Sequence, residues 1–191
     1  MIWRFTNLET PRLVIRRLRE TDVEPFLAYR SAPDVIRFQE WQEIGRADIL
    51  YYIRDLEKLE PGRPGQAFQF GVEHRADRQL IADMSLSIEL ESPRIGEIGY
   101  TLAPAYQHQG YGYEMVSALL TYAFGTLGLH RIYARVLREN VRSINLLERL
   151  DFRCEGELME QIWFNGAWRN LLIFAQLAWE WNKTHSRQGD A

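Results

Sequence analysis

Between Glu97 and Leu127 the hydrophobic period of the chain changes. Ile98, Tyr100 and Leu102 alternate with Glu97, Gly99 and Thr101, the pattern of a strand buried on one face. Pro104 closes that strand. A polar loop containing Gly110 and Gly112 follows, and then Val116, Leu119, Leu120, Ala123 and Leu127 fall at helical spacing. The order strand, glycine-bearing loop, helix brings free backbone N–H groups and a positive dipole end to one point, which suits phosphate oxygens.

The same reading predicts further strands over residues 12–18, 67–74, 80–90, 131–137, 152–158 and 170–179. It predicts helices from Thr21 to Pro33, over 47–59 and over 140–150. Thr21 and Glu24 have the spacing of a capping box. Pro61-Gly-Arg-Pro-Gly65 and Asn165-Gly166 are turns. Seven strands interleaved with helices and local hairpins imply an α/β domain with a mixed sheet. No repeat or linker divides the chain, so residues 1–182 read as one domain and 183–191 as a polar, mobile tail.

Composition adds limits. The 191 residues are 46% hydrophobic and 26% charged, ordinary for a globular protein. A net charge of -3 argues against a general nucleic-acid or anionic-membrane binder. A single cysteine excludes an intrachain disulfide and fits a reducing compartment. There is no signal-peptide pattern and no apolar run long enough to span a membrane, so a cytoplasmic location is expected. No His/Cys/Asp cluster has metal-ligand spacing, and no metal is expected.

The loop Gln107-His108-Gln109-Gly110-Tyr111-Gly112-Tyr113 is neither a P-loop, since no Lys follows Gly112, nor a dinucleotide fingerprint, since Met115 occupies the third small position. Gln107-x-x-Gly110-x-Gly112 after a Tyr-x-Leu-x-Pro strand resembles the acetyl-coenzyme A loop of the GNAT N-acetyltransferases. Glu139-Asn140-Val-Arg-Ser143-Ile-Asn145-Leu-Leu-Glu148-Arg-Leu-Asp-Phe152 resembles that family's Glu-Asn-x-x-Ser-x-x-Leu helix. Thr10-Pro-Arg12-Leu-Val-Ile-Arg16 resembles the first strand of the RimJ/RimL-like branch, the ribosomal-protein N-terminal acetyltransferases and relatives.

The resemblance implies a GNAT fold with a mixed sheet of about seven strands. The strand from Glu97 to Leu102 and the strand from Arg131 to Leu137 would splay apart, and the pantetheine of acetyl-CoA would lie in the gap as a false strand. Main-chain groups of Tyr100, Thr101 and Leu102 would pair with it, so side-chain changes there should matter less than anything that blocks the backbone. N–H groups from His108 to Tyr113 would hold the pyrophosphate, and Leu102 N–H the oxyanion. Asn140 and Asn145 would bind the donor. Ser143 would contact it and serve as acid for the thiolate.

The implied reaction is attack of an amine on a thioester, in a ternary complex with coenzyme A donor and amine acceptor. It needs a neutral amine. At pH 7 roughly one α-amine in ten is neutral against about one lysine in 2,500, so a modest base suffices for an N-terminus. Glu97 is the first candidate base, with Glu160 or water as alternatives. The acceptor is a protein N-terminus or a small-molecule amine. The alternative function is a non-catalytic acyl-CoA-binding module, and either a monomer or a homodimer is compatible.

Several residues depart from the family pattern. Leu147 stands where many members have a tyrosine that serves as the acid, so Ser143 or water must serve instead. Asp151 replaces the glycine that usually follows the helix. Asn170 and Phe174 replace Asp and Tyr. Cys154 reads as a buried small hydrophobe rather than a nucleophile. Arg142, Arg149 and His108 could meet coenzyme phosphates, and Phe38, Trp41, Tyr51 and Tyr52 could line an acceptor pocket.

Overall fold

The computed structural model describes residues 5–39 and 45–185; Trp41 and residues 186–191 lie outside them. Among the described residues eight strands form one sheet: β1 (Leu8–Glu9), β2 (Leu13–Arg17), β3 (Ala67–His74), β4 (Leu80–Ile88), β5 (Ile95–Leu102), β6 (Arg131–Leu137), β7 (Arg153–Phe164) and β8 (Ala167–Leu177), in the order β1-β2-β3-β4-β5-β6-β8-β7. The eighth strand, absent from the sequence reading, is β1; two residues are too few for a periodic signal. All pairings are antiparallel except β5 with β6.

The helices are α1 (Val23–Arg30), α2 (Pro33–Ile36), α3 (Arg46–Leu56), α4 (Tyr111–Thr121, continued by a π turn over Tyr122–Thr126), α5 (Val141–Arg149) and α6 (Ala178–His185). One apolar cluster packs α4 and α5 on the sheet through Met115, Val116, Leu119 and Leu147. A second joins α1 and α3 through Phe26, Tyr29, Ile49 and Ile53. Helices therefore cover both faces, as a largely buried mixed sheet requires. No helix of the described residues is long and apolar enough to cross a membrane.

The structure corrects several local expectations. Thr21 makes no cap. Instead Asp22 is buried, accepts from Arg19 N at 2.7 Å and takes both terminal nitrogens of buried Arg16 at 2.7 and 2.9 Å. A buried arginine needs that carboxylate more than the helix needs a cap. Pro33 opens α2 instead of only ending α1, since a proline at the first helical position gives up no bonded N–H. Trp179 belongs to α6, not to the last strand. Cys154 is exposed, because it sits on the edge strand β7, nearly all of whose residues are solvent-facing. Asn165 (φ 50°) and Gly166 (φ 74°) form the expected two-residue turn between β7 and β8.

Candidate active site

Strands β5 and β6 pair only through Ile95, Gly96 and Glu97 with Arg131, Ile132 and Tyr133, and then separate. The bonding parity shows which groups are left over. Ala103 N donates to Ile81 O at 2.8 Å and Glu89 N to Ile95 O at 3.0 Å, so odd-numbered residues of β5 bond to β4. Hydrogen-bonded and non-bonded pairs alternate in an antiparallel ladder, so Tyr100 and Leu102 turn their main-chain groups toward β6, whereas Thr101, expected from the sequence to offer its own as well, spends them on Asp83 of β4. On β6, Ala178 N donates to His130 O and Arg138 N to Asn170 O, so Arg135 and Leu137 turn theirs toward β5. The splay is thus lined by main-chain groups from both strands. Leu102 O is taken by Gln107 Nε2 at 3.0 Å.

A groove of about 610 Å³ lies along the β5 side of the splay. Tyr100, Thr101 and Leu102 line it from β5, and Gln107, His108, Gly110, Gly112 and Tyr113 from the loop and α4. Asn140, Arg142, Ser143, Asn145 and Arg149 line it from α5. Asp34, Val35, Phe38 and Gln39 line it from α2 and the segment after it. Among the described residues the N–H groups from His108 to Tyr113 meet no protein acceptor; the first bonded amide of the turn is Glu114 N, to Gly110 O at 3.1 Å. His108 (φ 60°) and Gly110 (φ 84°) are left-handed, which turns successive amides the same way. Such donors, at a helix start and open to a groove, are what an oxyanion needs. The side chains of Gln109 and Tyr111 point elsewhere: Gln109 Nε2 donates to Ala105 O at 2.8 Å, and the Tyr111 hydroxyl meets His74 Nε2 at 3.1 Å.

Sequence reasoning missed what holds this loop from behind. Arg12 donates from Nε to Glu114 Oε2 at 2.6 Å and from Nη1 to Gln109 O at 3.0 Å, and its guanidinium lies 4.2 Å from the Tyr111 ring centre. Glu114 also accepts from Thr10 Oγ1 at 2.6 Å and Arg12 N at 2.9 Å. Burial works to raise the Glu114 pKa, but these donors outweigh it and hold the carboxyl below its ordinary range. Residues about a hundred positions apart left no pairing signal in the sequence. Arg12→Ala is expected to raise the KM for the donor about fivefold to tenfold with kcat nearly unchanged, since it frees the loop without touching the reacting atoms; initial rates at varied donor check it.

Asn140 caps α5 by accepting Ser143 N at 3.3 Å. Ser143 Oγ lies 2.8 Å from the Tyr100 hydroxyl, a contact across the splay that the sequence did not disclose. Burial pushes that phenol far above its ordinary pKa, against the hydrogen bond shared with Ser143, which works the other way. Leu147 is fully buried and Phe174 nearly so. Asp151 takes the left-handed turn itself (φ 62°).

Glu97 is outside the groove lining and forms a bidentate pair with Arg135, at 2.7 and 3.2 Å. Glu160 sits on a bulge of β7 (φ 47°), exposed, its N–H bonded to Asn170 Oδ1. Of the aromatic residues expected at the acceptor end, Phe38 lines the groove, Tyr51 is 74% exposed, and Tyr52 lies 3.5 Å from Gln69 Oε1. Beside Phe38, Gln39 is oriented by a partly buried network: Arg30 Nη1 donates to Gln39 Oε1 at 2.8 Å, and Gln39 Nε2 to Thr101 Oγ1 at 3.2 Å. Among the described residues no cluster of His, Cys, Asp or Glu could hold a metal ion.

Residues 12–153 match the family model described as an acetyltransferase (GNAT) domain. The chain is 31% identical over 163 residues to an uncharacterised N-acetyltransferase of Bacillus subtilis, covering 85% of this chain and 91% of that one. It is 27% identical over 180 residues to the alanine N-acetyltransferase of ribosomal protein uS5 from Escherichia coli, covering 92% of each. The solved structure of spermidine N-acetyltransferase from Vibrio cholerae, in complex with CoA and spermine, superposes with a TM-score of 0.77 at 23% identity, over 90% of this chain and 99% of that one.

Proposed function

The chain belongs to the GNAT family of acetyltransferases, and from that premise we propose that it moves the acetyl group of acetyl-CoA directly to a primary amine in a ternary complex. The observation that carries this is the row of unbonded amides from His108 to Tyr113, opening on a groove that Tyr100, Thr101 and Leu102 line from the β5 side of the splay. A pyrophosphate fits the first and an extended amide-bearing arm the second. His108, Arg142 and Arg149 add positive or protonatable groups at the same end.

Each residue then has a task. Loop amides hold the diphosphate, while Tyr100 and Leu102 main-chain groups align the pantetheine arm. When bound, the donor supplies the activated thioester. Leu102 N–H faces the gap and donates to the oxygen that gains charge. Asn140 and Asn145 flank the arm. The amine proton leaves to Glu97 or to water. For Glu97 this requires loosening its Arg135 pair, so water reaches the amine at lower cost. The acceptor enters at the Phe38 and Gln39 end. Relatives acetylate amines as different as a ribosomal-protein alanine and spermidine, and either class, a protein N-terminus or a small molecule, suits the reading.

The test is thiol release from acetyl-CoA across a panel of N-terminal peptides, polyamines and amino acids, with mass detection of the acetylated product. At least one acceptor is expected to turn over, and α-amines should remain good substrates nearer neutral pH than lysine ε-amines. Tight coenzyme binding with no product from any panel member would instead identify a binding module.

A further inference from the structure

We propose that the Tyr100 side chain is a positioning residue for the leaving thiolate: it donates its hydroxyl proton to Ser143 Oγ and thereby turns the proton of Ser143 into the groove. The proposal deepens the acetyl-transfer reading and rests on it. Tyr100 reaches from β5 to the first turn of α5, and its oxygen lies 2.8 Å from Ser143 Oγ but 3.4 Å from Ser143 O. Burial keeps the phenol protonated, so its O–H needs an acceptor. The nearer and better one is Oγ, because a hydrogen bond at 3.4 Å is weak. The serine is fixed at the same time, its N–H held by Asn140 Oδ1 at 3.3 Å. A serine hydroxyl that accepts from Tyr100 keeps its own hydrogen for another partner, and Ser143 lines the groove between Asn140 and Asn145.

The chemistry defines what that hydrogen does. The amine nitrogen forms a bond to the thioester carbon, the carbon–sulfur bond breaks, and its electron pair stays on sulfur. The proton lost by nitrogen goes to Glu97 or water, and the sulfur takes one from water on release. A thiol titrates near ~8.5, far below an aliphatic alcohol, so Ser143 does not surrender its proton to the thiolate. It donates a hydrogen bond to the developing charge, and such bonds strengthen as the charge forms. The tyrosine makes that donor permanent. This gives the Tyr100 side chain, and not only its main chain, a part in turnover.

The test uses the intact protein with coenzyme A and any acceptor from the panel. In the wild type the thiol of bound coenzyme A, followed by thiolate absorbance, is expected to titrate about one unit below the free thiol. Tyr100→Phe and Ser143→Ala should each return it toward the free value and lower kcat about tenfold, with donor affinity changed less than about threefold. The double variant should be no slower than the worse single one, because both remove the same bond. Ser143→Thr should restore both readouts. Should the phenylalanine variant unfold, 3-fluorotyrosine at position 100 preserves the ring and sharpens the donor, and should lower the thiol pKa further. An unchanged thiol titration in Tyr100→Phe or in the fluorinated protein, beside normal donor binding, overturns the proposal. Failure of the wild type to bind coenzyme A overturns the acetyl-transfer reading instead and takes the proposal with it.

Discussion

Gly110→Asp is expected to abolish coenzyme binding, with a loss of at least about a hundredfold in affinity by calorimetry and a matching loss of kcat/KM. Three effects combine. Gly110 has φ 84°, where any side chain is strained. A Cβ there would lie 3.3 Å from Arg12 Nη2, so the new carboxylate would compete with Glu114 for the guanidinium that ties the loop down. The same carboxylate would sit among the amides of His108 to Tyr113, occupying donors meant for phosphate and repelling it. Gly110→Ala separates the contributions: it carries the backbone strain without the charge, and about a tenfold loss is expected. Equal affinity for the donor in the wild type and the aspartate variant would remove the loop from the binding site altogether.

That the loop was legible in the sequence, and the Arg12 clamp was not, has a physical cause. Strand, turn and helix signals are local. Alternation at Ile98 to Leu102, Pro104, the two glycines and the 3.6-residue repeat after them all act within one turn or one pleat of each other. The N-cap at Asn140 is equally local. The clamp joins Arg12 to Glu114, and the strut joins Tyr100 to Ser143; these are polar contacts across 102 and 43 positions, and a lone polar residue in sequence looks the same whether solvated or bonded. The errors share this origin. Thr21 has the spacing of a cap, but the carboxylate next to it, Asp22, was claimed by Arg16 from another element. Cys154 looked like a core residue because strand alternation cannot tell an edge strand from a central one. The parity of main-chain bonds in the splay follows from a register that only the folded sheet defines.

The second large effect is expected at Asp83, which is fully buried on β4 and was invisible as a site in the sequence. Four donors converge on it. Oδ1 accepts from the Tyr29 hydroxyl at 2.5 Å and Arg30 Nε at 3.0 Å, while Oδ2 accepts from Arg30 Nη2 at 2.5 Å and from Gln69 Nε2. Both oxygens are doubly used, so Asp83→Asn must present its NH₂ group to two donors whichever way the amide turns. It also takes away the carboxylate that faces the Arg30 guanidinium. Breaking a buried pair in this way costs about 3–5 kcal/mol, and for a domain of this size each kcal/mol shifts Tm by roughly 2–4 °C. A fall of about 10 °C is therefore expected in thermal unfolding. The consequence should extend to the site, because Arg30 Nη1 orients Gln39 and Gln39 bonds Thr101 in the groove. In Asp83→Asn assayed well below its Tm, the KM for the acceptor should rise while donor affinity stays near the wild-type value, since the loop and α4 take no part in the network. Replacing the pair as a whole, Asp83→Leu with Arg30→Met, should recover part of the stability by removing both charges, the Tyr29 hydroxyl and Gln69 amide still lacking their acceptor, and should leave the acceptor KM high because Gln39 has lost its guanidinium. An Asp83→Asn protein as stable as the wild type, with the same acceptor KM, would mean that this network neither supports the sheet nor sets the groove.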